Sequence, residues 1–364
     1  MTTRSDSLQA DTAPTDLFLA LTPARVLDAV EAGGVRCRNV CYPLNSFENR
    51  VYEVELETSE RVVAKFYRPG RWSEAQILEE HRFLAELDAA EVPVCPMRPF
   101  PDGSTLKRIE GIWYCLADRR GGRAPDELDA GLAERLGMLV GRLHAVGAER
   151  DAGPRRPLDA EHFVRRPVAW LDEHRTIPRP FADRYRETAL EIAERAERAM
   201  EGVATQRIHA DLHLGNVLLR DGQLRVLDFD DMAAGPPVQD LWLALPGRDE
   251  ETARLRESFL TGYERFQLFD RSTLRLIEPL RGLRLVRYAA WIARRWHDPA
   301  FRQGWPHFGT DEYWGAETRD LEEQLEVIRR VERAGVGAAA AARAALEPEE
   351  LLDNKDYFFD WEDD

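Results

Sequence analysis

The sequence predicts an α+β protein of two lobes, a small one built on an antiparallel sheet plus a helix and a large, mainly helical one. Three observations lead there. Arg61-Val62-Val63-Ala64-Lys65-Phe66-Tyr67 alternates as a half-buried strand does, and the following Ile77–Leu87 has apolar residues at helical spacing. Beyond Gly121-Gly122, Leu132, Leu136, Leu139, Val140 and Leu143 mark one buried helix face. Within that helical half lie two short apolar runs, Val217-Leu218-Leu219 and Leu224-Arg225-Val226-Leu227. They flank Asp221-Gly222, a strong two-residue hairpin signal. A chain of 364 residues is long enough for two lobes with a sizeable core.

Taken in order, residues 1–14 are expected to be disordered, 15–117 to form the small lobe, 118–335 the large lobe and 336–364 an acidic tail. The first helix covers Leu27-Asp28-Ala29-Val30, and two strands flank Leu44-Asn45-Ser46-Phe47-Glu48-Asn49. Ile112-Trp113-Tyr114-Cys115-Leu116 is a strand that leads into a Gly121-Gly122 hinge. In Pro236-Pro237-Val238-Gln239-Asp240, the aspartate is placed to cap the next helix, since its carboxylate accepts from the first N–H groups. Trp291, Arg294, Arg295 and Trp296 share a predicted helix, with Trp305, His307, Tyr313 and Trp314 after it. Such density marks either a binding surface or large-lobe core with cationic edges. Residues 335–345 read as linker or weak helix. From Glu347 onward nine acidic residues stand against one lysine, Lys355, with aromatics between them. This composition suits a solvated disordered tail or a segment that docks on its own lobe or on a partner.

The chemistry concentrates at His209-Ala210-Asp211-Leu212-His213-Leu214-Gly215-Asn216, with Asp228 twelve residues on. Phosphoryl transfer needs one carboxylate to orient and deprotonate the attacking hydroxyl, and an amide with a second carboxylate to hold Mg²⁺ against the phosphates. Asp211 suits the first role; Asn216 and Asp228 suit the second. A hairpin about Asp221-Gly222 folds Asp228 back beside Asn216. Any one of these residues alone reads as an ordinary loop or cap residue; the full spacing does not. A rival metal site of His209, Asp211 and His213 would use three alternating side chains on one strand face, but leaves Asn216 and Asp228 unexplained. His209 is expected to brace the loop, and His213 to do the same or face the substrate.

A nucleotide also needs a cation at its phosphates. The chain has three lysines, Lys65, Lys107 and Lys355, against a large excess of arginine, so Lys65 on its strand looks selected for a compact ammonium. Glu79 or Glu80 on the next helix would pair with it. Adjacent helical side chains point about 100° apart, and Glu80, whose neighbours at i+3 and i+4 are Phe83 and Leu84, is the one expected to face inward.

These residues, in the order Lys65, Glu80, Asp211, Asn216, Asp228, resemble the aminoglycoside phosphotransferase/choline kinase superfamily of protein-kinase-like folds. Longer stretches narrow the resemblance: Pro43–Tyr52, Lys65-Phe66-Tyr67-Arg68-Pro69, Ile77–His81, Gly235–Trp242 and Ile277-Glu278-Pro279-Leu280-Arg281 resemble the bacterial stress response kinase A (YihE/RdoA) family over roughly residues 15–330. That resemblance implies a cytoplasmic serine/threonine protein kinase of the stress response, able to autophosphorylate, with ATP as donor and Mg²⁺ as cofactor. It places Ser46 at the ATP site, adenine at the hinge and Asp240 as a brace for the catalytic loop. The chain lacks a G-x-G-x-x-G loop; Asn45 and Ser46 would supply side-chain contacts to nucleotide in its place. Asp228-Phe229-Asp230 is not D-F-G, so an activation-loop switch of the eukaryotic kind is not implied. A small-molecule hydroxyl acceptor, such as a homoserine-, choline- or aminosugar-like alcohol, is the alternative. A pseudokinase is disfavoured because the expected catalytic side chains are present.

Composition is consistent with this. A net charge of −16 disfavours nucleic acid or an anionic membrane as main partner. No apolar run is long enough to span a bilayer, and the polar start lacks a signal-peptide core. Cys37, Cys41, Cys95 and Cys115 show no C-x-x-C spacing and read as reduced, buried thiols of a cytoplasmic protein. A monomer is expected.

Overall fold

The structure, a computed structural model, describes residues 18–344, with side chains as far as 333. The expectations for residues 1–14 and for the acidic tail beyond 344 lie outside the described residues. The chain forms two compact units. One runs to Gly122 and also takes in His297–Phe301; the other comprises Arg123–Trp296 and resumes at Arg302. The return of five residues to the first unit was not expected from the sequence, which assigned them to the large lobe.

The first unit holds a six-stranded antiparallel sheet. Its strands are β1 (Cys37–Leu44), β2 (Arg50–Leu56), β3 (Arg61–Phe66), β4 (Met97–Arg98), β5 (Lys107–Ile109) and β6 (Ile112–Asp118), in the order β1-β2-β3-β6-β4 with β5 on β6. β3 shows the period of two that its sequence implies: Val62, Ala64 and Phe66 are buried while Arg61, Val63 and Lys65 point the other way. The buried set packs with α1 (Pro23–Ala32), through Val26, Ala29 and Val30, and with Leu116 and Tyr114 of β6. Ile77 of α2 (Glu74–Ala89) lies in a separate cluster with Tyr67 and Cys115. α2 starts at a capping box, in which Ser73 accepts from Gln76 N and the Gln76 side chain accepts from Ser73 N.

The second unit is mainly helical. α3 (Ala130–Gly147) is followed by a π-helical turn over Glu161–Arg165, α4 (Arg166–Glu173) and α5 (Arg179–Met200). The strand β7 (Gln206–Ile208) pairs with β10 (Ala233–Gly235), and the hairpin β8 (Val217–Arg220) and β9 (Gln223–Val226) lies between them in sequence. Asp221 and Gly222 both have positive φ, 51° and 77°, the two-residue turn that matches strand twist. α6 (Val238–Ala244), α7 (Glu250–Tyr263) and α8 (Ile277–Arg294) follow; α9 (Pro299–Gly304) begins within the His297–Phe301 segment of the first unit, and α10 (Asp311–Ala344) completes the second. Residues 335–344, read from sequence as linker or weak helix, continue α10. Glu278, within the Ile277–Arg281 stretch, ties α8 to α10: it meets Arg248 at 2.9 Å and Arg281 at 3.3 Å, and accepts from Gln324. Among the described residues no helix is long and apolar enough to cross a membrane.

Candidate active site

In the second unit, β7 delivers the chain to His209-Ala210-Asp211. Ala210 takes the left-handed conformation, φ 67°, which costs a non-glycine residue energy and persists only when its surroundings hold it. Asp240 does so. Its Oδ2 accepts from His209 N at 2.8 Å and its Oδ1 from Ala210 N at 2.7 Å. Behind it, His144 Nε2 faces Asp240 Oδ2 at 2.9 Å, and His144 Nδ1 faces the Tyr263 hydroxyl at 3.0 Å. Asp240 lies inside the first turn of α6, where Pro237 precedes the helix and no side chain caps it. The capping role expected from sequence is therefore absent, because the carboxylate is spent on the loop.

The hairpin and the Asn216 side chain bring together the three residues of this unit that the sequence singles out. Leu227 N donates to Asn216 O at 2.8 Å, which sets Asp228 beside Asn216. The Asn216 amide nitrogen donates to Asp211 O at 2.8 Å and lies 3.2 Å from His213 Nε2. Its carbonyl oxygen is thereby turned away from both. Asp228 has φ 53°, a second left-handed residue. The turn after it is held by Arg155, buried, whose Nε donates to Met232 O at 3.0 Å and whose Nη2 donates to Asp230 O. His209 has both ring nitrogens engaged: Nε2 with Leu227 O at 2.6 Å and Nδ1 with Asp211 N at 3.2 Å. It braces the loop and has no nitrogen left for a metal. Among the described residues no group of three His, Cys, Asp or Glu side chains is placed to hold a metal ion. Two hard oxygen donors, the Asn216 carbonyl and the Asp228 carboxylate, are the kind of set Mg²⁺ takes, with phosphate oxygens and water completing it.

Asp211 carries two further contacts. Arg284 Nη1 of α8 donates to its Oδ1 at 2.8 Å, and His213 Nε2 stands 3.6 Å from its Oδ2. Burial pushes the Asp211 carboxyl up, but the Arg284 and His213 charges outweigh this and hold it below its ordinary 3.8. Burial pushes His213 below its ordinary 6.5; the neighbouring Asp211 opposes this, and Arg284 adds to it. Arg287, one turn along α8, pairs with Asp231. Sequence reasoning missed both arginines. The available signal was their helical spacing beyond Glu278-Pro279, on a helix whose other residues are mostly apolar.

In the first unit, Lys65 Nζ lies 3.1 Å from Glu80 Oε1, and Glu80 is fully buried. Glu79 instead pairs with Arg82. The tip between β1 and β2 carries Asn45, exposed, and Ser46, whose Oγ accepts from Asn49 N at 3.3 Å. Arg68 braces this tip from behind: its N donates to Asn49 Oδ1, its Nε to Glu48 O at 2.9 Å and its Nη2 to Phe47 O at 3.0 Å. Asp298, within the returning five residues, meets both Arg68 and Arg50 at 3.0 Å. Nothing in the sequence linked Asp298 to this hairpin.

The aromatic stretch divides. Trp314 is core, edge-on to Tyr185 at 5.5 Å between ring centres, whereas Trp291 is half-buried and Arg294 exposed.

The sequence model of the phosphotransferase enzyme family matches residues 41–277. The chain is 38% identical over 312 residues to the stress response kinase A of Salmonella paratyphi A, covering 85% of this chain and 94% of that one. It is equally similar, 38% over 312 residues with the same coverage, to a Salmonella typhimurium protein named serine/threonine protein kinase RdoA. Among solved structures it is similar to amicoumacin kinase hAmiN in complex with AMP-PNP, Ca²⁺ and Ami. The TM-score is 0.64 at 18% identity, covering 81% of this chain and 95% of that one.

Proposed function

From the fact that the chain belongs to the phosphotransferase enzyme family, and within it to the stress response kinase A family, we propose that it transfers the γ-phosphoryl group of ATP to serine or threonine hydroxyls of proteins, itself included. One observation carries this reading furthest. Asp211, Asn216 and Asp228 converge on a loop held in place by Asp240, and the Asn216 amide is oriented with its nitrogen spent and its oxygen available. Asp211 orients the acceptor hydroxyl and takes its proton as the new P–O bond forms and the bond to ADP breaks. Lys65, aligned by Glu80, serves the α/β-phosphates, and Ser46 and Asn45 lie at the hairpin tip that covers them. Asn216 and Asp228 would hold Mg²⁺, which would supply charge neutralisation at the phosphates. Protein as acceptor rests on the name of the RdoA relative.

A second reading has its own support: one solved neighbour of this fold is an amicoumacin kinase, whose acceptor is a small molecule by its name. Labelled ATP separates the two. Transfer to the protein itself or to a generic protein, dependent on Mg²⁺ and lost in Asp211→Asn, supports the first. Consumption of ATP only with an added small alcohol supports the second. Equal transfer in EDTA and in Mg²⁺ would remove Asn216 and Asp228 from the role given to them.

A further inference from the structure

Along α8 the residues Arg284, Arg287, Trp291 and Arg294 follow one another at spacings of three and four, and so share one helix face. That face begins on the proposed base: Arg284 Nη1 donates to Asp211 Oδ1 at 2.8 Å. One turn on, Arg287 meets Asp231 and lies over the Phe163 ring at 4.2 Å, with its side chain 34% exposed. Arg294, exposed, lies over the Trp170 ring at 5.3 Å, and Arg295 over Trp291 at 5.6 Å. From Asp211 this helix face thus runs through two arginines, Arg284 and Arg287, toward guanidinium groups stacked on indole rings. Guanidinium forks match carboxylates and phosphates and repel ammonium groups.

We infer that the acceptor hydroxyl of this enzyme is carried on a negatively charged substrate, and that Arg284 and Arg287 read that charge. The inference rests on the proposed phosphotransferase site and adds the acceptor class to it. The geometry around Asp211 is the reason. Arg284 occupies Oδ1, one of the two oxygens of the proposed base. An acceptor with a carboxylate or phosphate near its hydroxyl offers Arg284 another partner and frees Oδ1 as it binds. A cationic acceptor offers none and sits against the arginines. For a protein substrate the chemistry corresponds to a serine or threonine flanked by acidic residues.

The test compares three peptides identical except at the residues flanking one serine, which are Glu, Gln or Lys. The full-length protein is used at saturating Mg·ATP, with D-glycerate and ethanolamine as an anionic and a cationic small alcohol. The expected result is kcat/KM falling in the order Glu, Gln, Lys, by about tenfold or more from first to last. Arg287→Gln should shrink that spread to within about threefold, and Arg287→Lys should keep the order. Melting temperatures confirm that each variant is folded. If no peptide is phosphorylated but glycerate is, the protein-acceptor reading fails and the anionic class stands. Preference for the Lys peptide or for ethanolamine, an order indifferent to Arg287, or no transfer to either anionic acceptor overturns the inference.

Discussion

Asp211 is held by a backbone that would not choose its own conformation. Ala210 stands at φ 67° because two N–H groups find Asp240 there. Asp211→Asn keeps that backbone but removes the proton acceptor. Transfer should fall by at least about two orders of magnitude, the scale of a general base, with nucleotide binding retained; near-normal turnover would remove Asp211 from that role. The same residues set a pH dependence. His213 is held below its ordinary 6.5, so the unfolded chain takes up a proton first as pH falls. Its contribution to stability is full above about pH 6.5 and declines below it, while that of Asp211, also held low, declines only below about 3.8. A His213→Gln variant should lose the part of the stability slope nearer neutrality, read from urea midpoints at pH 7 and 5.5. An unchanged slope would contradict the assignment. In the first unit, Lys65 reaches Glu80 across 3.1 Å. A planar guanidinium does not fill the place of an ammonium, so Lys65→Arg should lose most activity, whereas Lys107→Arg, at a partly exposed pair with Asp102, should lose almost none. Glu80→Gln should impair turnover more than Glu79→Gln, measured as initial rates on folded protein.

Among the elements, the closest packing is between α3 and α7. A Cβ on Gly137 would stand 1.9 Å from Phe259 O, and one on Gly262 would stand 1.9 Å from Glu134 O. The two backbones therefore touch where neither helix carries a side chain. The contact matters to the site because α3 also carries His144 and α7 carries Tyr263, the pair behind Asp240. Gly137→Ala should destabilise by about 1–3 kcal/mol or more, since backbone must move to admit the methyl group. Gly131→Ala, exposed in the first turn of the same helix, should be neutral or stabilising by about 0.5–1 kcal/mol. Equal melting temperatures for the two variants would mean that α3 and α7 do not pack this closely in solution.

At the scale of the whole molecule, the chain returns to its first unit through His297–Phe301 long after leaving it at Gly122. Asp298 explains the return. It is fully buried and meets Arg50 and Arg68, the second of which also holds the hairpin tip carrying Ser46. Burial raises the Asp298 carboxyl, yet Arg68 and Arg50 hold it below its ordinary 3.8. Asp298→Ala would leave two guanidiniums without that partner and should cost about 3–5 kcal/mol, the usual penalty for breaking a buried pair. A urea midpoint equal to that of the unsubstituted protein would show the return segment to be dispensable.

What the sequence by itself determined is what local spacing can carry. Alternation placed Lys65 on β3, i+3 and i+4 apolar neighbours turned Glu80 inward, and Asp221-Gly222 closed the hairpin that sets Asp228 beside Asn216. Each depends on residues close in the chain or on a two-residue turn, so a period or a turn type suffices. The tertiary structure alone decided the rest. Arg284 lies 73 residues from Asp211, and Asp298 lies 230 from Arg68. Local pattern offers Asp240 only a helix end to cap, and the brace for the loop came from the family resemblance alone; its carboxylate is used 30 residues away, on Ala210 N. No periodicity encodes such pairings; they exist because folding buries charges and strained N–H groups that must then find partners.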